Sequence, residues 1–95
     1  MKFTIQKPHS VIDLITNSSM EMFLVEGNVS INAIDEMLHD KCENSEDPFD
    51  MEWYNNELSI YEDGRGNIEV HSFLNEPDWL YDFMYSTFKV IEYDN

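Results

Sequence analysis

Two alternating segments set around a pair of glycines constrain this fold more than any other feature of the chain. NELSIYED (56–63) and NIEVHSF (67–73) carry apolar residues at every second position, Leu58 and Ile60 in the first, Ile68 and Val70 in the second. Between them stand Gly64, Arg65 and Gly66, a composition suited to a tight reversal. A period of two sends alternate side chains to opposite faces of a strand. The pair is therefore predicted to be an antiparallel hairpin with those four residues toward the core.

Further strands are predicted on either side. KFTIQ (2–6) alternates through Phe3 and Ile5 until Pro8 ends it, and KVIEY (89–93) alternates again as a returning edge strand. MEMFLVEG (20–27) is apolar throughout and closes on a glycine, which suits a central strand buried on both faces. Ser10, with Asp13 three residues on, suits the cap of a single helical turn, and TNSS (16–19) has turn chemistry.

Two helices follow from periodicity. Ser30 is a good N-cap, Val29 and Ile34 occupy the positions of a hydrophobic staple, and Ile31, Ile34, Met37, Leu38 and Cys42 recur at helical spacing. Asn75 is placed to cap a second helix with an apolar stripe of Trp79, Leu80, Phe83, Met84 and Phe88, and with Tyr81 and Tyr85 elsewhere on the cylinder. ENSEDPFD (43–50) is polar and contains proline, so it reads as a loop, with Met51 and Trp53 starting a strand after it. The expected class is α+β: one domain over residues 1–95, with a small mixed or antiparallel sheet of four to five strands and two helices packed on one face.

Charge narrows the function. Twenty acidic residues face five Lys or Arg, a net charge of -15, on a chain that is 42% hydrophobic and so rich enough in apolar residues to fold. Such a surface repels nucleic acid and anionic membranes and attracts cations and basic protein surfaces. Eleven of the twenty-nine residues from 35 to 63 are acidic: Asp35, Glu36, Asp40, Glu43, Glu46, Asp47, Asp50, Glu52, Glu57, Glu62 and Asp63, opposed only by Lys41. Within a domain of this size they span roughly 30 Å, or about one charge per 3 Å. Duplex DNA carries about one per 1.7 Å. The run therefore reads either as a row of phosphate surrogates or as a solvated face that maintains solubility. Trp53, Tyr54 and Tyr61 lie in the same stretch, and with Tyr81, Tyr85 and Tyr93 they exceed what one small core holds, so some are candidates to anchor a partner.

Catalytic and metal motifs are lacking. His39 and Cys42 make one His-x2-Cys pair where zinc needs two, and neither ENSEDPFD nor YEDGRGN has the ligand pattern of a calcium loop. Ser10, Ser18 and Ser19 beside His9 or His71 match no nucleophile motif, and the three glycines serve turns rather than a phosphate cradle. The expectation is a non-enzyme with no cofactor and no metal. A lone Cys42, no apolar run of membrane-spanning length and no signal-peptide pattern lead to an expected cytoplasmic location, and Cys42 is expected in the core.

VIDLITNSSMEMF (11–23) resembles a segment of small uncharacterised bacteriophage proteins, in which an apolar run leads to Thr-Asn, then serines, an acid and another apolar run. Met20 departs from that pattern, standing where a third serine is usual before the acid, here Glu21. The resemblance implies a phage setting in a bacterial host, and it transfers no activity and no site residue. The expected function is an inhibitor that occupies the basic, nucleic-acid-binding surface of a host protein of defence, repair or transcription. The alternative is an interaction or assembly module, as a homodimer for example, whose charge serves solubility alone.

Overall fold

A computed structural model describes residues 20–95 and the backbone of residues 2–3. Its elements are β1 (Lys2–Phe3), β2 (Glu21–Val25), α1 (Ile31–Glu43), α2 (Pro48–Asn56), β3 (Leu58–Glu62), β4 (Ile68–Ser72), α3 (Leu80–Thr87) and β5 (Val90–Asp94). The strands form one mixed sheet in the order β1-β3-β4-β2-β5, an α+β architecture in which only the β1–β3 pairing is parallel. The single helical turn expected at Ser10, the TNSS turn and the remainder of the first strand lie outside the described residues.

The hairpin forms as its alternation requires. Ile60 pairs with Val70 and Val70 with Phe23, so three fully buried side chains stand in one row across the sheet. The turn places Gly64 and Gly66 at φ of 85° and 88°, the left-handed region that residues with a Cβ rarely enter. Gly27, just past β2, lies so close to the turn that a Cβ there would overlap the Gly66 carbonyl, while its N–H donates to Asn67 Oδ1 at 3.2 Å. These contacts tie the end of β2 to the hairpin.

All three helices supply side chains to the core on that face: Ile34, Leu38 and Cys42 from α1, Trp53 and Tyr54 from α2, Leu80 and Met84 from α3. Ser30 caps α1 as expected, its Oγ accepting from the Ala33 N–H at 3.1 Å. β5 is the expected edge strand. β2 is flanked on both sides, although only Phe23 and Val25 are fully buried, and Met22 and Leu24 are half-buried.

Two expectations fail. Residues 48–56 form a third helix instead of a loop and strand, because Asp47 accepts from the Phe49 N–H at 3.0 Å and Pro48 sits in the first turn, where its missing N–H costs nothing. The buried set Asp50, Trp53 and Tyr54 has helical, not strand, spacing. Asn75 does not cap α3; it adopts φ 56° in the preceding bend, and α3 starts after Trp79 with no side-chain cap bond.

The opposite face of the sheet is buried along β3 and β4. Ser59, Tyr61, Glu69 and His71 are all buried there. Tyr61 Oη lies 2.9 Å from His71 Nδ1, and His71 Nε2 lies 2.8 Å from Glu69 Oε1. The imidazole thus bridges the Tyr61 hydroxyl and the Glu69 carboxylate.

Candidate functional site

The acidic run divides once folded. Glu36, Asp40 and Glu43 follow one another at i, i+4 and i+7 on the outside of α1, and Glu46, Asp47 and Glu52 are exposed on the loop and on α2. Helix geometry puts Glu36 and Asp40 about 6 Å apart along the axis. Among the described residues, no Lys or Arg forms an ion pair with any acid from 35 to 63. The His39 ring lies 3.6 Å from Asp40 and 3.5 Å from Glu43. Lys41, the cation within the run, instead holds its Nζ over the rings of Trp79 and Phe83, 5.4 and 5.9 Å from their centroids.

Other members have structural tasks. Asp50 is buried, its Oδ2 accepting from Ser45 Oγ at 2.6 Å and from Trp79 Nε1 at 2.8 Å. Asp35 accepts from the Tyr54 hydroxyl at 2.5 Å. Asp63 accepts from the N–H groups of Arg65 and Asn67 in the hairpin turn. Desolvation would raise its carboxyl, but those backbone donors and the Arg65 charge outweigh it and hold Asp63 below the usual carboxylate range. Glu62 is exposed on the hairpin, and Glu57 is half-buried at the end of α2.

The aromatic candidates within the run must be corrected. An anchor has to be accessible, and Trp53 and Tyr61 are each 1% exposed, with Tyr54 at 7%. Trp53 donates its indole N–H to Ser72 Oγ at 2.8 Å and meets Trp79 edge to face. Tyr61 belongs to the His71 relay. Burial first, and the Glu69 charge after it, pushes its hydroxyl well above the ordinary tyrosine range. Tyr54 is raised by burial and then by its bond to Asp35. The accessible tyrosines are Tyr81 and Tyr85 on α3, packed against Tyr93 of β5 with ring centroids 4.7 to 6.4 Å apart.

Cys42 is in the core, as expected, and burial, with the Asp50 charge behind it, pushes its thiol up to about 12, which leaves it un-ionised and inert. Among the described residues no three His, Cys, Asp or Glu are grouped to hold a metal, and no helix is long and apolar enough to cross a membrane.

A feature that the sequence did not reveal lies beside α2. Phe49, Glu52, Trp53, Asn56 and Glu57 on one side, with Asn75 and Glu76 on the other, line a cleft of about 430 Å³. Phe49 is 70% exposed at its rim, and none of its three carboxylates has an ion-pair partner among the described residues. No local signal brings Asn75 and Glu76 to α2, since the bend that does so is set by tertiary packing. No protein-family model, curated protein or solved structure matches the chain.

Proposed function

We propose that this protein is a non-enzymatic inhibitor that covers the basic surface of a nucleic-acid-binding protein, presenting the carboxylates of α1, the following loop and α2 in place of phosphates. The observation that carries this reading is that Glu36, Asp40, Glu43, Glu46, Asp47 and Glu52 are exposed with no Lys or Arg among the described residues pairing any of them. Fixed, uncompensated charge of one sign raises the local concentration of an oppositely charged partner and speeds its association. The likeness of segment 11–23 to phage proteins supports a partner in the bacterial host, engaged in defence, repair or transcription.

The test uses tagged protein as bait in bacterial lysate, eluted with a salt gradient. The expected partner is a nucleic-acid enzyme that elutes early and is displaced by duplex DNA. Reversing Glu36, Asp40, Glu43 and Glu46 to lysine should abolish its capture while circular dichroism stays unchanged. Capture that survives all four reversals overturns the reading.

A second reading rests on Tyr81, Tyr85 and Ile91, each more than two-fifths exposed beside the edge strand β5. Exposed aromatic residues next to an unpaired strand edge suit an assembly module, homodimeric or otherwise. Binding of that kind would resist salt and be lost in Tyr81→Ala or Ile91→Lys.

A further inference from the structure

We propose that the cleft between α2 and the 73–79 bend is a receptor for an arginine side chain presented by the partner. The inference rests on the preceding reading that this partner is basic, and it names the group that the partner inserts.

The chemistry of the lining selects the ligand. Glu57 and Glu76 are half-buried, so their charges are screened less by solvent than those of the α1 stripe. Carboxylates lining one cleft in that setting call for a cation. Phe49 adds an aromatic face left 70% exposed at the rim, beside carboxylates and without any ring partner among the described residues. A guanidinium satisfies both features, since its planar fork donates in parallel to carboxylate oxygens while its face stacks on a ring. A lysine ammonium offers a point charge without the plane. The volume of about 430 Å³ falls within the usual range for ligand pockets, roughly 300–1,000 Å³.

Charge complementarity also favours a foreign occupant over a second copy. The chain has five Lys or Arg against twenty acids, Lys41 is held over Trp79 and Phe83, and Lys89 pairs with Glu26 at 3.2 Å. Arg65, exposed on the hairpin turn, is the described side chain of a second copy that could enter the cleft, at the cost of bringing two strongly negative molecules together.

Isothermal titration of the intact protein with a blocked peptide of alternating arginine and glycine, and with its lysine counterpart, tests the proposal. The arginine peptide should bind several-fold more tightly at about 0.15 M salt. The double variant Glu57→Gln/Glu76→Gln should weaken it by about tenfold or more, whereas Glu36→Gln/Glu43→Gln, which removes the same charge from α1, should weaken it less than about twofold. Phe49→Ala should erase the preference for arginine. Circular dichroism of each variant separates lost binding from lost folding.

Equal losses in the two double variants, equal affinity for the two peptides, or no binding of either would each overturn the cleft as an arginine receptor. So would self-association that disappears in Arg65→Ala, which would make a second copy the occupant. None of these outcomes touches DNA-displaceable capture through α1, and loss of that capture would leave peptide binding in the cleft intact, so the two readings fail separately.

Discussion

Carboxylates occur here in two settings. Glu21, Asp50 and Glu69 are buried: Glu21 accepts from the Tyr93 hydroxyl at 2.5 Å, Asp50 from Ser45 and Trp79, and Glu69 meets the His71 ring. Glu36, Asp40, Glu43, Glu46 and Glu52 are exposed, with no ion-paired Lys or Arg among the described residues. Glu21 and Asp50 are satisfied by O–H and N–H groups, which bring no positive charge to the surface. Among the described residues no Lys or Arg compensates the exposed set. The buried set belongs to folding and the exposed set is free for recognition.

The strongest test of this division is Glu69→Ala. Leaving a buried hydrogen-bonding group without its partner typically costs about 1–3 kcal/mol, and here the change breaks the chain from Tyr61 through His71 to Glu69. Urea denaturation should show that loss. A change below about 1 kcal/mol would mean that the relay is not structural.

Alkaline pH should act next in size. Tyr54, Tyr61 and Tyr93 are all raised above the ordinary tyrosine value, chiefly by burial and then by their carboxylate neighbours. A group with a raised folded pKa is more readily ionised in the unfolded chain. Its contribution is complete below about pH 10 and is lost as pH rises toward the folded value, with a limiting slope near 1.4 kcal/mol per pH unit for a single group such as Tyr61. Denaturation midpoints should fall above pH 10, with tyrosinate absorbance appearing as the protein unfolds. Tyrosinate that forms near pH 10 in the folded protein would contradict the burial of these hydroxyls.

Tyr93→Phe isolates one buried acid. Glu21 Oε1 is buried with no hydrogen-bond partner, and Tyr93 supplies the bond on Oε2. Loss of that hydroxyl should cost about 1–3 kcal/mol, the usual penalty for an unsatisfied buried acceptor. The reduction should largely vanish in Tyr93→Phe/Glu21→Leu, where no acceptor is left stranded. If the double variant is no more stable than the single one, the penalty lies in packing.

How much of this was legible depended on the range of the cause. The hairpin, α1 with its Ser30 cap and β5 are dictated by periodicity within a few residues and form within a residue or two of where it places them, whereas α3 keeps Leu80, Phe83 and Met84 of its stripe but begins after Trp79 instead of after Asn75. α2 was hidden because one of its three buried residues is an acid, Asp50, whose burial depends on Trp79 twenty-nine residues away. A cap was nevertheless present in Asp47-Pro48. Alternation implies that Tyr61, Glu69 and His71 face away from the helices, and they do, but it does not reveal that this face is buried too. Of the proposed site, the acid stripe on α1 followed from i, i+4 spacing. The cleft did not, since it joins residues 49–57 to 75 and 76 through tertiary packing.

The smallest effects are expected on the exposed face, where their sign carries the argument. Glu36→Gln, Glu43→Gln, Glu46→Gln and Glu52→Gln should each alter stability by less than about 0.5 kcal/mol, as is usual for solvated surface positions. Asp47→Ala should differ, costing about 1 kcal/mol, because Asp47 caps α2. Like charges on one face repel, so the fourfold Gln variant should melt above the parent at low salt. Its advantage should shrink as the Debye length contracts to about 8–10 Å near physiological ionic strength. Thermal melts at 10 mM and 0.5 M salt make the comparison. A fourfold variant that melts below the parent at low salt would show these carboxylates to be holding the fold together, and the distinction between acids for folding and acids for recognition would collapse. A variant that gains stability yet loses its partner would show that the face carries its repulsion for the sake of binding.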